Sequence, residues 1–138
     1  MILPLIVALT QFGVWEWAGK DHNPVILNYF KSIGQGWVKD DETAWCAAFV
    51  NWCLLVSGMS FTGKLNARSF LEWGTPIDSP LLGDIVILWR ESRSSALGHV
   101  GFFIAKDRDY IFILGGNQGD QVNITKYPIS RVLGYRRQ

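Results

Sequence analysis

Hydrophobic and polar positions follow one rhythm up to Gly83 and another beyond it. The chain begins with an apolar run, Met1 to Leu9, broken only by Pro4. This predicts a core helix over about Leu3 to Gln11, far too short to span a bilayer. Gly13 to Gly19 reads as a loop. Asn23-Pro24 sets an N-cap directly before a proline suited to the first helical position, so a second helix is expected from Pro24 to about Ile33, stopped by Gly34. The densest pattern is Asp41 to Gly58. Trp45, Phe49, Trp52 and Val56 make one stripe, Val50, Leu54 and Leu55 cover other sides, and only Asn51 and Ser57 interrupt them. A helix apolar nearly all round is a buried one. Thr43 is its expected N-cap and Gly58 its left-handed C-cap. Another short helix is expected over Leu65 to Trp73 with Asn66 as cap, then a connector from Gly74 to Pro80.

Past Gly83 the runs shorten and lose helical spacing. Asp84 to Trp89 is a dense strand buried on both sides. Gly98 to Ala105, Tyr110 to Leu114, the alternating Gln121 to Tyr127 and Val132 to Arg136 complete a set of about five strands. Helices first and strands afterwards, joined by short links, predict an α+β fold with an antiparallel sheet. No repeat, low-complexity tract or linker divides the chain, and residues 1–138 are expected to form a single catalytic domain.

Composition narrows the functional classes. The formal net charge of +1 provides no field for nucleic acid or an anionic membrane. Cys46 and Cys53 lie seven residues apart on one helix, roughly 10 Å along its axis, too far for a disulfide. Two cysteines and two histidines also fall short of a structural zinc pattern. No cofactor or metal is expected. The N-terminal run has no positive segment before it and no small-residue cleavage site after it, so synthesis in the cytoplasm without a secretion signal is expected.

The candidate chemistry centres on Cys46. A thiol in the first turn of a helix meets unpaired backbone N–H groups and the positive end of the dipole, which favour thiolate. Asp40, Asp41 and Glu42 would act the other way if they faced it. His99 opens the second expected strand, and Asn117 follows the third. If Asp107-Arg108-Asp109 is a three-residue hairpin loop, the register that pairs 106 with 110 also sets 99 opposite 117. Asn117 can then hold the imidazole of His99. A cysteine at a helix N-terminus, a histidine on a neighbouring strand and a polar orienter are the parts of a papain-like thiol site.

The motifs carry a resemblance as well. His22-Asn23-Pro24, the run Asp41 to Trp52 containing Trp45-Cys46-Ala47-Ala48-Phe49, Gly83-Asp84-Ile85-Val86, Gly98-His99-Val100-Gly101-Phe102 and Leu114-Gly115-Gly116-Asn117-Gln118 together resemble the CHAP/NlpC group of cysteine, histidine-dependent amidohydrolases and peptidases, in a compact single-domain form. The likeness spans nearly the whole chain. It implies a papain-like fold and a catalytic set of Cys46, His99 and Asn117. It also implies hydrolysis of peptidoglycan amide bonds, within the stem peptide or at the sugar–peptide linkage. Many relatives carry a glutamate two positions before the asparagine; Gly115 stands there in this chain. The implied partner is peptidoglycan, with no nucleic acid, no stable membrane insertion and a monomeric state. Two settings fit. A phage endolysin would be released through holin pores, and an antibacterial effector would use secretion machinery and an immunity protein; both act on the wall in the periplasm.

Competing readings attach to the remaining residues. Trp37, Trp73 and Trp89 are read as core or half-core side chains, Arg68, Arg90 and Arg93 as solvated charge. His22 is read as part of a helix-start turn and Cys53 as an inert buried thiol. The rival functional readings are an inactive wall-binding module with the same fold, and a thiol acyltransferase acting on lipid, for which no membrane-facing helix is found.

Overall fold

The computed structural model describes residues 1–138. Three α-helices come first: α1 (Ile2–Leu9), α2 (Pro24–Ser32) and α3 (Cys46–Val56). A 3₁₀ helix, Ala67–Glu72, leads into six strands: β1 (Thr75–Ile77), β2 (Ile85–Trp89), β3 (Gly98–Lys106), β4 (Tyr110–Gly115), β5 (Asn123–Pro128) and β6 (Val132–Arg137). The strands form one sheet in the order β1-β6-β2-β3-β4-β5, with every pairing antiparallel. The α+β class holds. The sixth strand lies in the stretch expected to be a plain connector, where three residues, Thr75 to Ile77, pair with Tyr135 to Arg137. Three residues with Pro76 at their centre are too few to show an alternating pattern, and pairing alone defines them as a strand.

The helices cover one face of the sheet. Ile85, Ile87, Val100, Phe102 and Leu114 share one core with α3 there, with Phe49, Val50 and Leu54 fully buried. The opposite face carries Val86, Leu88, Phe103, Ile111 and Ile113, overlaid by Tyr127, Val132 and Tyr135. β2 is therefore buried on both faces, as its unbroken apolar run requires. α1 departs from expectation. Leu5 and Ala8 are buried, yet Ile2, Leu3, Ile6 and Leu9 each remain about half exposed, at 48–54%. A run that is apolar throughout carries no period to mark its inner face, and this helix lies at the rim with one side open.

α3 begins at Cys46, not at Thr43. Trp45 occupies the N-cap position without a side-chain cap, because Thr43 is turned aside: its N–H and hydroxyl both donate to Asp40 Oδ1, at 2.7 and 3.0 Å. Asp41, fully buried, accepts from the backbone N–H groups of Trp17 and Asn23 at 2.9 and 2.8 Å. Those bonds hold its carboxyl below the usual range although burial pushes the other way. Asn23 caps α2 by accepting from Val25 N, and donates to Trp15 O. Asp41 and Asn23 together tie the loop before α2 to the approach of α3. The same loop pairs with the segment after β4, through Gly13 N to Val122 O, Val122 N to Val14 O and Glu16 N to Asp120 O.

The β3–β4 hairpin shows how the site end is registered. Its tip is one residue tighter than expected: Asp107 N donates to Tyr110 O, Asp107 Oδ1 caps the N–H groups of Asp109 and Tyr110, and Lys106 pairs with Ile111. That register alone would misplace His99 by one. A bulge between Phe103 and Ala105 restores the original sum, so that Phe102 faces Leu114.

Candidate active site

Cys46 is the first residue of α3, and its backbone N–H is among the four that a helix leaves unpaired. The thiol keeps 6% of its surface and lies against the backbone of Val100 at the start of β3. Burial raises its pKa. The Val100 and Ala47 N–H groups and the Arg90 charge oppose the shift without cancelling it. Position at a helix N-terminus was expected to favour thiolate; enclosure in the core outweighs it. None of Asp40, Asp41 and Glu42 bears on the sulfur, since the first two are bonded elsewhere.

His99 is 5% exposed and sits on β3 opposite Leu88 of β2. Because it alternates with Val100, its ring turns from the helix face toward Tyr127, with ring centroids 5.3 Å apart. Burial lowers its pKa to about 4, helped by Arg90 and Arg131 and opposed by a hydrogen bond from the ring to Gln118. At neutral pH both imidazole and thiol are uncharged. Tyr127 is the common neighbour of the two. Its hydroxyl is 3.3 Å from His99 Nε2, and burial together with the Cys46 charge pushes its pKa to about 12.

The residue that holds His99 is Gln118. His99 Nε2 lies 2.9 Å from Gln118 Oε1. The Gln118 amide cannot be reversed: its Nε2 donates toward Ile113 O, Asn123 O and Asn123 Oδ1 at 3.1, 2.8 and 3.0 Å, and all three atoms are acceptors. With Oε1 thus fixed toward the ring, His99 must carry its proton on Nε2, which leaves Nδ1 with a free lone pair. Asn117, to which the register assigned this contact, lines the same cleft. Pairing of β4 ends at Gly115, and Asn117 adopts a left-handed backbone with φ 57°. The pleat stops there, and the turn brings the next residue inward. A glutamine in an otherwise glycine-rich turn was the signal in the sequence, and in the fold it is only 3% exposed. Its place in ordinary turn composition hid it.

Glycines allow the close approach. A Cβ on Gly116 would stand 2.6 Å from the Trp45 ring and 2.9 Å from Phe49 Cβ, and one on Gly115 would lie 2.8 Å from Gln118 Oε1.

The cleft over this cluster encloses about 550 Å³. Glu16, Glu42 and Asp120 stand on its wall, as do Ala44, His99, Tyr127, Arg90 and Arg131. Cys46 itself is not part of the wall. Arg131 stacks over Trp89 and Tyr127, at 5.7 and 5.4 Å from their centroids, and donates to Trp89 O. No group of three or more His, Cys, Asp or Glu side chains is placed to hold a metal ion.

The remaining candidates separate clearly. The Arg68 guanidinium is fully engaged with Leu97 O, Arg93 O and Ser92 O, and so clips the β2–β3 loop. His22 packs against Asp41 at 3.2 Å. Cys53 is wholly buried, with its pKa raised by desolvation. Trp73 is buried and donates to Ser60 O, Trp89 donates to Ser130 O, and Trp37 is exposed away from the cleft.

A thiol at the head of a buried helix, beside an antiparallel sheet that presents an oriented histidine, defines the papain-like class of α+β domains. The family model for the CHAP domain matches residues 38–117, more than half of the chain, and the protein belongs to that family of peptidoglycan hydrolases. The matched span includes Cys46, His99 and Asn117 and ends one residue before Gln118. No curated relative matches the chain. No helix is long and apolar enough to cross a membrane.

Proposed function

We propose that the protein cleaves amide bonds of peptidoglycan by thiol catalysis, with Cys46 as nucleophile, His99 as base and Gln118 in the orienting role first expected of Asn117. The observation that carries the reading is the locked Gln118–His99 contact, which leaves Nδ1 unprotonated. As sulfur attacks the substrate carbonyl, Nδ1 takes the thiol proton and the oxyanion forms against the Cys46 N–H. The proton then passes to the departing amine, and the acyl group stays on sulfur as a thioester. Water, giving a proton to Nδ1, attacks the thioester; the carboxylic acid leaves and the thiol is restored. A neutral starting pair suits this sequence, because attack and proton transfer can proceed together without a standing thiolate.

Bacterial wall is the proposed place of action, reached as a phage endolysin or as an antibacterial effector. The burial of Cys46 and its absence from the cleft wall favour a second reading, an inactive wall-binding module with the same fold. Product analysis on purified sacculi separates the two. New amine and carboxyl termini from the wild type, absent with Cys46→Ala, support hydrolysis. Binding to sacculi without new termini supports the module.

A further inference from the structure

The cleft is electrically divided, and the division is not needed for the proton transfers above. At one end Arg90 and Arg131 stand beside Tyr127. At the other, Glu16, Glu42 and Asp120 form a ridge shared with a second depression of about 520 Å³, whose wall includes Trp15 and Trp17. Both indoles are open to solvent, at 58% and 42%. The charges of the two ends do not pair with each other: the ion pairs of the protein are His22–Asp41 and Arg137–Asp84, both outside the cleft. His99 feels the arginines, whereas Glu16 feels only Asp120 and Asp41 as charged neighbours. The imidazole shares the cleft with both sets of charges.

The acidic end is held in place by backbone. Glu16 N donates to Asp120 O, and Trp15 bridges Gln121, so the two carboxyls are fixed side by side. Crowding has a cost. Burial and Asp120 push the Glu16 pKa up to about 7, so that its carboxyl is partly protonated near neutrality. The indole N–H of Trp45 lies beside Glu16 and favours its charged form. That N–H is fully buried and has no hydrogen-bond acceptor. A cation settled on the ridge would favour the charged form of Glu16, whose carboxylate can then accept from Trp45 Nε1. The three acids do not make a metal-holding cluster, while exposed indoles next to carboxylates suit an organic ammonium, which gains from both the charge and the ring faces.

We propose that the ridge of Glu16, Glu42 and Asp120, flanked by Trp15 and Trp17, is a subsite for a primary ammonium group of the substrate, and that Arg90 and Arg131 take a carboxylate at the opposite end. The substrate is thus a peptide with a free amine on one side of the scissile amide and a carboxylate on the other. This rests on the hydrolytic reading of the site and deepens it.

The test uses synthetic stem peptides in matched pairs, one pair with the amine free or acetylated, the other with the carboxylate free or amidated. Wild type is expected to show kcat/KM about tenfold higher for the free amine, the scale of one charge-assisted hydrogen bond, with the difference in KM. In Glu16→Gln/Asp120→Asn that ratio collapses toward one. Arg90→Ala collapses the carboxylate ratio in the same way and keeps the amine ratio. Equal rates on the free and acetylated peptides, or a ratio that survives the double substitution, overturns the subsite while leaving the hydrolase in place. Cleavage of neither peptide, or cleavage that persists in Cys46→Ala, overturns the hydrolytic reading and the subsite with it.

Discussion

Replacing Gln118 by leucine tests the orienting contact with little change in side-chain volume. Two losses follow. In the resting enzyme, the bond between His99 Nε2 and Gln118 Oε1 at 2.9 Å disappears; a neutral buried bond of this kind is worth about 0.5–1.5 kcal/mol. The imidazole can then carry its proton on Nδ1, the nitrogen that should be free. In the transition state the ring is an imidazolium, and the lost bond is charge-assisted, worth roughly 1.5–3 kcal/mol. On that scale kcat falls about 10- to 100-fold, with KM nearly unchanged. Stability falls too, by about 1–3 kcal/mol, because Asn123 O loses its donor at 2.8 Å inside the turn. Stopped assays on a defined muropeptide give kcat, and ¹⁵N shifts of the His99 ring give the tautomer. Gln118→Glu is the companion variant. It keeps an acceptor toward the ring, and its charge should lift the His99 pKa above about 4. A leucine variant with wild-type kcat and the proton still on Nε2 would refute the orienting role.

Other expectations are as direct. His99 titrates near 4 in the fold against an ordinary 6.5, so its contribution to stability is complete above about pH 6.5 and lost as pH falls through 4, about 3 kcal/mol in all; urea midpoints should show that slope, and His99→Gln should flatten it. Glu16 has the opposite sign, since its carboxyl is raised to about 7: the fold favours its protonated form, and that advantage is lost as pH rises from 4.5 through 7. Glu16→Gln should accordingly melt higher than wild type at pH 8 and at the same temperature at pH 4, and a variant that melts lower at pH 8 contradicts the assignment. Asp84 is fully buried and depends on Arg137, which donates through Nε and a terminal nitrogen at 2.8 and 2.6 Å; Arg137→Ala should lower the denaturant midpoint, because it leaves the buried carboxylate without its cation. Gly116→Ala, whose Cβ would meet Trp45 and Phe49, should cost about 1–3 kcal/mol and also lower activity.

The sequence was most legible where one pattern had one physical cause. The all-apolar run around Phe49 could only be a buried helix, and Ile85 to Trp89 could only be a strand with both faces covered. Cys46 and His99 were singled out from their places near the starts of the buried helix and of the next strand, where the structure also puts them. Legibility failed where a residue's role depends on its turn. Asn117 and Gln118 are neighbours with similar side chains, and the choice between them is made by one positive φ that no periodicity encodes. It failed again at Cys46, whose local surroundings argue for an anion while burial, a property of the whole fold, argues for a neutral thiol. α1 shows the reverse case. Its composition suggested complete burial, but how much apolar surface is covered depends on the layer beside it.

The irregularity at Ile104 separates the two ends of the β3–β4 hairpin. Extra or missing residues at the outer tip can be taken up at that joint, because the strands beyond it are already offset by one relative to those before it. His99 lies on the inner side, five positions away. The Arg108-Asp109 tip is therefore the place to graft a foreign segment, such as a wall-targeting peptide, without disturbing the His99 ring. Removal of Ile104 itself would close the joint, making Phe103–Ile113 and Ala105–Phe112 consecutive pairs, and would leave His99 on its present face while any later slip at the tip would run straight down the strand.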